Sequence, residues 1–341
     1  MILTVTLNPA LDRTVALSGP LERGRVQRVR DVRQQAGGKG VNVTRALLAS
    51  GVESLAIVPA ADGDPFLSAA RTLGLPVRAV PVSGPVRTNI ALTEPDGTTT
   101  KLNEPGPRLS AQELRALQEA ILDEVRSRGV RELVFAGSLP AGTADAEYAR
   151  LVRELRTTLG DACPRIVVDG SGAPMRSLIA SGERVDLIKP NAEELAELTG
   201  GDGEAMEAEP RIALAAARRL LETSGVREAL VTLGAGGALL VDARRALFAR
   251  PPRIRPVSTV GAGDASLAGL LLARSLGRSD EQALAQATAH GAAAACLPGS
   301  TMPTSEQTDP GAVEVRSLEA SGRTPHAEEA HGRNTEEKSQ R

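Results

Sequence analysis

Short β-branched runs alternate with longer helical patterns along most of this chain, and no other feature restricts its fold as much. "ILTVTL", "SLAIVPA", "ELVFAG", "RIVVDG", "DLIKP", "EALVTLG" and "ALLVD" read as strands. Between them, "GVNVTRALLAS", "SAQELRALQEAILDEVRSRG", "ADAEYARLVRELRTTLG", "NAEELAELTG" and "PRIALAAARRLLETSG" carry apolar residues at the spacing that lines one face of a helix. Such alternation requires right-handed crossovers, and the crossover helices cover both faces of a mostly parallel sheet. The expected class is α/β. At 341 residues the chain exceeds a typical domain, yet single α/β cores reach this size, so one large domain with an appendage is expected.

Two segments break the alternation. Residues 13–36, "RTVALSGPLERGRVQRVRDVRQQA", and 86–103, "VRTNIALTEPDGTTTKLN", follow a period of two, and the second contains a Pro95-Asp96-Gly97 turn. Both are polar on one face, which places them in a small β-sheet lid outside the main core, able to cover a ligand or pair with another subunit. Beyond Thr304 the chain has few large apolar residues and dense charge, which cannot offset the entropy of ordering. The expected division is therefore a domain over 1–303 and a disordered charged tail over 304–341. That tail holds His326 and His331, which removes them from consideration as catalysts.

Composition narrows function by exclusion. Three Phe, one Tyr and no Trp leave no aromatic platform on which bases could stack. With 40 basic against 42 acidic residues and a formal net charge of −2, no overall field attracts nucleic acid or an anionic membrane. Phosphate binding must then be local. Cys163 and Cys296 lack metal-ligand spacing and read as reduced thiols. No stretch approaches the ~20 apolar residues of a membrane span, and "MILTVTLNPALDRT" lacks the basic start of a signal peptide. A soluble, cytoplasmic protein is expected.

Two glycine turns could bind anions. "QQAGGKGVNVTRAL" sets Gly37, Gly38 and Gly40 before a helix, where backbone N–H groups can approach a phosphate, Lys39 adds a charge and Asn42 lies in the first turn. Alone, it is a weak signal that can also be a tight turn entering a helix. "STVGAGDASLAG" repeats the pattern: Gly261, Ala262 and Gly263 offer amides at a helix start, and Asp264 follows them as either a cap or a base. In "DLIKPNAEELAEL", Asn191 and Glu194 share one helical face and could reach phosphate and metal-bound water, or simply cap the helix. On the lid segments, Arg87, Asn89, Lys101 and Asn103 are candidates to clamp a phosphate, and Asp12, just after the first strand, is a candidate to accept bonds from sugar hydroxyls. A Walker-type G-x-x-x-x-G-K-[ST] loop is absent from the sequence, and "GAGDAS" and "GAGGAL" lack the third glycine of a dinucleotide fingerprint.

Taken in order, "TLNPALDRT", "AGGKGVNVTRAL", "TNIALTEPDGTTTKLNEPG", "FAGSLPAG", "VDGSG", "IKPNAEEL", "VTLGAGGALLV" and "STVGAGDA" resemble the landmarks of the PfkB branch of the ribokinase-like carbohydrate kinases. The resemblance spans residues 1–300. It implies a ribokinase-like three-layer sandwich with a mostly parallel central sheet and a β-sheet lid, and a homodimer paired through that lid. It also implies ATP as co-substrate with Mg2+, Asp264 as catalytic base, and Gly261, Ala262 and Gly263 as the anion hole. The phosphosugar would contact Asp12, Gly38, Lys39, Asn42, Arg87, Lys101, Asn103 and Ser138. The nucleotide would contact Lys189, Asn191, Thr232, Gly234 and Gly237, with Glu194 reaching magnesium through water. "GKG" and "TLNPALD" point to fructose 1-phosphate, phosphorylated at its 6-hydroxyl, with tagatose 6-phosphate and fructose 6-phosphate as alternatives and a non-catalytic sugar-phosphate sensor as a different class. The region "HGAAAACLPG" lacks the Asn that stands near the adenine in some relatives.

Overall fold

The structure is a computed structural model that describes residues 1–318. In chain order the strands are β1 (Ile2–Val5), β2 (Ala10–Leu17), β3 (Val29–Gly37), β4 (Ser54–Pro59), β5 (Val77–Val80), β6 (Arg87–Thr93), β7 (Thr99–Asn103), β8 (Glu132–Ala136), β9 (Arg165–Asp169), β10 (Leu187–Ile188), β11 (Glu228–Thr232), β12 (Ala238–Asp242), β13 (Ala246–Arg250) and β14 (Glu314–Ser317). The α-helices are α1 (Lys39–Ala49), α2 (Pro65–Thr72), α3 (Ala111–Arg128), α4 (Glu147–Leu159), α5 (Gly172–Ala180), α6 (Ala192–Thr199), α7 (Gly203–Ala208), α8 (Pro210–Thr223), α9 (Ala262–Ser275) and α10 (Asp280–Ala295).

The main sheet has 10 strands in the order β14-β13-β12-β11-β10-β9-β8-β1-β4-β5. From β11 to β5 every pairing is parallel, and β12, β13 and β14 add an antiparallel edge. Side chains alternate across the sheet, as the period of a strand requires. Leu3, Val5, Leu133, Phe135, Ile166 and Val168 pack under α3 to α8. Ile2, Val134, Val167, Leu187 and Leu230 pack under α1, α9 and α10 on the other face. The result is the three-layer α/β sandwich that the alternation predicts, with aliphatic side chains filling both layers. Emptying a fully buried position such as Leu47 costs about 2–5 kcal/mol.

Helix α9 is buried along most of its length, which is possible because it is built largely from small and aliphatic residues. At Gly269 a Cβ would meet Gln286 O at 2.6 Å and His290 Cγ at 2.9 Å, so α10 approaches too closely for any side chain there. His290 is itself buried, and that burial pushes its pKa down to about 4. It packs as a neutral ring.

The lid is a 4-stranded sheet in the order β3-β2-β6-β7, formed by the two segments that break the alternation. Its inner face follows from register: Asp12 pairs with Gln35 on one side and Asn89 on the other, and Asn89 pairs with Asn103. The chain beyond Thr304 departs from the expected disorder. Residues 305–318 add two short 3-10 turns and β14, which pairs with β13. Leu318 is only 4% exposed, and the Arg316 guanidinium lies 5.4 Å from the centre of the Phe248 ring. Few apolar residues suffice because the segment completes an existing sheet and needs no core of its own. The remainder of the predicted tail, with His326 and His331, lies outside the described residues.

At the N-terminal rim of the sheet, charges pair with one another. Arg274 donates to both Glu228 oxygens, at 2.8 and 2.6 Å, and Arg165 lies 3.2 Å from Glu132 and 3.5 Å from Glu228. The opposite rim carries the candidate site.

Candidate active site

After β1 the parallel strands extend to β4 and β5 on one side and, from β8 onward, on the other. The carboxyl ends of strands at such a reversal leave a crevice for ligands. Helix α1 starts there because Gly38 adopts φ 110°, and a Cβ at that position would meet Thr6 Cγ2 at 2.9 Å. Helix α9 starts after Gly261, which caps it with φ 79°.

Four elements bring their charges together at this point. Asp169, fully buried at the end of β9, accepts from Lys39 Nζ at 2.8 Å, and its second oxygen lies 3.4 Å from Lys189 Nζ. Lys39 Nζ also lies 3.7 Å from Glu194 Oε1. Burial alone would raise the Asp169 carboxyl, but the two lysines outweigh it and hold the group below the carboxylate range. The Lys39 ammonium is likewise opposed by burial and held well above its ordinary value by Asp169 and Glu194.

Asp264, 7% exposed in the first turn of α9, accepts from Asn42 Nδ2 at 2.9 Å. Its pKa is pushed up to about 6, first by burial and then by the Asp169 charge, against the pull of Lys39, Asn42 and Lys189. A plain cap is not its role, since α9 has no side-chain cap bond. Of the three amides expected to bind an anion, that of Ala262 donates to Thr259 O at 3.3 Å. First-turn amides beyond it have no partner one helical turn earlier. A Cβ at Gly263 would sit 3.2 Å from Lys189 Nζ, so this turn faces the lysine.

The lid contributes a second group. Asp12 lies on β2, not in the loop after β1, and accepts from Asn89 Nδ2 at 3.0 Å. Burial raises its carboxyl, opposed by Asn89, Arg87, Arg45 and Lys101. Arg87 Nε and Asn89 Oδ1 are buried without a hydrogen-bond partner. Lys101 and Asn103 stand exposed on β7. Ser138, also exposed, accepts from Asn8 Nδ2 at 3.1 Å, and the same nitrogen reaches Pro105 O at 3.1 Å. Lys39, expected with the sugar clamp, is thus paired with Asp169 and Glu194, while Arg87, Asn89 and Lys101 gather around Asp12.

On the other flank, Asn191 and Glu194 do form a cap: Glu194 N donates to Asn191 Oδ1 at 2.8 Å and Asn191 N to Glu194 Oε2 at 2.9 Å. Because the cap uses only Oε2, Oε1 still faces Lys39, so capping leaves that oxygen open to a further role. Thr232 bridges to Asn191 at the end of β11. Gly234 and Gly237 follow with φ 52° and 123°, and a side chain at either would collide with Glu207 or Ala249.

Two residues in this centre were not singled out from the sequence. Asp169 lies within "VDGSG", and the signal was its position as a carboxylate at the carboxyl end of a strand. Arg45 follows Asn42 by three residues and was hidden within the helical pattern of α1. Among the described residues, no group of three or more His, Cys, Asp or Glu could cage a metal. Glu194, whose Oε1 is not used by the cap, fits a magnesium ion that keeps its waters.

The pfkB family carbohydrate kinase model matches residues 5–307. The chain belongs to the PfkB family. It is similar to 1-phosphofructokinase of Xanthomonas campestris pv. campestris, 36% identical over 80% of this chain and 83% of that protein. To 1-phosphofructokinase of Escherichia coli K12 the identity is 33%, over 84% and 88%. The crystal structure of phosphofructokinase-2 from Escherichia coli in complex with fructose-6-phosphate superposes with a TM-score of 0.78, at 28% identity over 90% of this chain and 96% of that one. As a PfkB member the chain is a phosphotransferase that acts on a sugar hydroxyl, with ATP as co-substrate.

Proposed function

We propose that this PfkB kinase transfers the γ-phosphoryl group of ATP to the 6-hydroxyl of fructose 1-phosphate, giving fructose 1,6-bisphosphate and ADP in the cytoplasm. The observation that carries this reading is Asp264: a buried carboxylate, oriented by Asn42 and set among two lysines at a helix start. Phosphoryl transfer needs positioning and charge stabilisation more than a strong base, and a base with pKa about 6 is ionised at neutral pH. As the 6-oxygen attacks phosphorus, its proton passes to the Asp264 carboxylate and the bond to the β-phosphate oxygen breaks.

Asp12 would hold sugar hydroxyls, with Arg87, Lys101 and Asn103 on the existing phosphate and Gly38, Asn42 and Ser138 lining the sugar. Lys39 stands between the sugar and the nucleotide. Lys189, Asn191, Thr232, Gly234 and Gly237 would border ATP, and the Gly261–Gly263 turn the transferring group. Magnesium would be held by Glu194 through water and by the phosphates, and when bound it neutralises charge on them. The exposed lid strand β3, with Val29 and Val32 open to solvent, suits pairing of two copies.

A second reading, fructose 6-phosphate as acceptor, is favoured by one comparison: ATP-dependent 6-phosphofructokinase isozyme 2 of Escherichia coli is 30% identical over 90% of this chain. The relatives named 1-phosphofructokinase share more identity, which sets the order of the two. Coupled measurement of ADP release with fructose 1-phosphate, fructose 6-phosphate and tagatose 6-phosphate tests the choice. The highest kcat/KM is expected with fructose 1-phosphate. A higher value with either other sugar overturns the substrate, and no turnover with any of them overturns the reading.

A further inference from the structure

We propose that Arg45 is a positioning residue for Asp264: it orients the Asn42 amide toward the base and fastens that arrangement to the root of the lid. The inference rests on the reading of Asp264 as the base.

Arg45 Nη1 donates to Asn42 Oδ1 at 3.4 Å. With its oxygen held by a cation, Asn42 presents its nitrogen to Asp264. An amide turned by half a rotation would present oxygen to the carboxylate instead, and oxygen cannot donate. The guanidinium therefore selects the orientation that favours the ionised base.

The same group touches two other parts of the site. Nη1 donates to Ser300 O at 3.4 Å and Nη2 to Gln35 Oε1 at 3.5 Å. Gln35 sits on β3 directly opposite Asp12, and its amide nitrogen donates to Ser300 Oγ. Ser300 and Met302 border the turn that starts α9, since a Cβ at Gly261 would lie 2.6 Å from Met302 Cε and 3.7 Å from Ser300 Cα. One side chain thus joins α1, the lid strand next to Asp12 and the segment behind the Asp264 turn.

Its electrostatics fit an orienting role. The oxygens it bonds are all uncharged, and burial pushes the guanidinium below its ordinary value while the Asp12 charge works against that. A half-buried cation bonded to neutral acceptors contributes little as an ion pair. Its value lies in fixing direction.

The test is the pH dependence of kcat/KM for Arg45→Gln and Arg45→Lys, alone and in an Asn42→Ala background. Arg45→Gln is expected to lose between about 10- and 100-fold in kcat. Its acid limb is expected to move to higher pH, because Asp264 loses a bond that favours its charged form. Arg45→Lys keeps a cation and should shift less in the same direction, which also serves if Arg45→Gln fails to fold. In the Asn42→Ala background either change should add little. An unmoved acid limb in Arg45→Lys and Arg45→Gln overturns the proposal. So does a raised KM for the phosphosugar with kcat and the acid limb intact, which would make Arg45 a substrate ligand. The base reading fails separately, if Asp264→Asn turns over normally. An inactive Asp264→Asn beside an unmoved acid limb in the Arg45 variants sinks this inference alone.

Discussion

Replacing Asp264 by Asn is expected to remove turnover and, at the same time, to stabilise the fold at neutral pH. The Asp264 carboxyl titrates at about 6 in the folded chain against an ordinary value of 3.8. A shift of about two units, at 1.36 kcal/mol each, amounts to about 3 kcal/mol. The sign follows from proton counts. Between the two values the folded state holds a proton that the unfolded state has lost, so stability falls as pH rises from about 4 to about 6 and the penalty is complete above that. Asn keeps the shape and carries no charge, so it escapes the penalty. Thermal or urea unfolding of both proteins at pH 7.5 and pH 4 measures it: the variant should be more stable at the higher pH by up to about 3 kcal/mol, with the gain gone at the lower. Turnover should fall by about 10²–10⁴-fold. Equal stability at both pH values, or a gain that ignores pH, would refute the account of Asp264 as a strained, desolvated base.

Asp169→Asn acts in the opposite sense on stability. It leaves Lys189 buried without its counterion, and Lys39 half-buried with only Glu194 beside it, and should cost about 3–5 kcal/mol. Because the Asp169 charge helps to raise Asp264, the acid limb of activity should also move to lower pH; a limb that stays in place would show that the two carboxylates do not interact. Gly38→Ala places a Cβ against Thr6 at a φ suited to glycine, and a loss of about 1–3 kcal/mol with a raised KM is expected. Wild-type melting and KM would remove the steric argument. Truncation after Pro303 deletes β14 and uncovers β13, so a lower Tm is expected, and an unchanged Tm would show that the segment adds nothing to the sheet.

Much of the fold was legible because its determinants are local. Alternating periods define strands and helices, and the two period-two segments became the lid. The segment past Thr304 was misjudged because hydrophobicity was summed within it, whereas β14 is stabilised by a neighbour far away in sequence. At the site, motifs carried by special residues were easiest to find: glycines with positive φ at 38 and 261, and the acid after the second. Asp169 and Arg45 were harder. Each looks ordinary along the chain, one ending a strand and the other decorating a helix, and only tertiary contacts reveal what they hold. The Asn191–Glu194 pair shows the reverse, since sequence offered capping or chemistry as alternatives and the geometry allows both, one oxygen for each.

The sheet separates two kinds of substitution by position along a strand. Arg165 and Glu228 begin the strands that end at Asp169 and Thr232, and Glu132 begins the strand that leads to Ser138. Replacing the charged lattice at the first rim with better-matched pairs would alter heat tolerance with the length of a strand between it and the reacting atoms. On the proposed reading of the site, changes at the second rim would trade selectivity and rate. For an engineer, the axis of β8 to β11 is a ruler that tells in advance which property a mutation will reach.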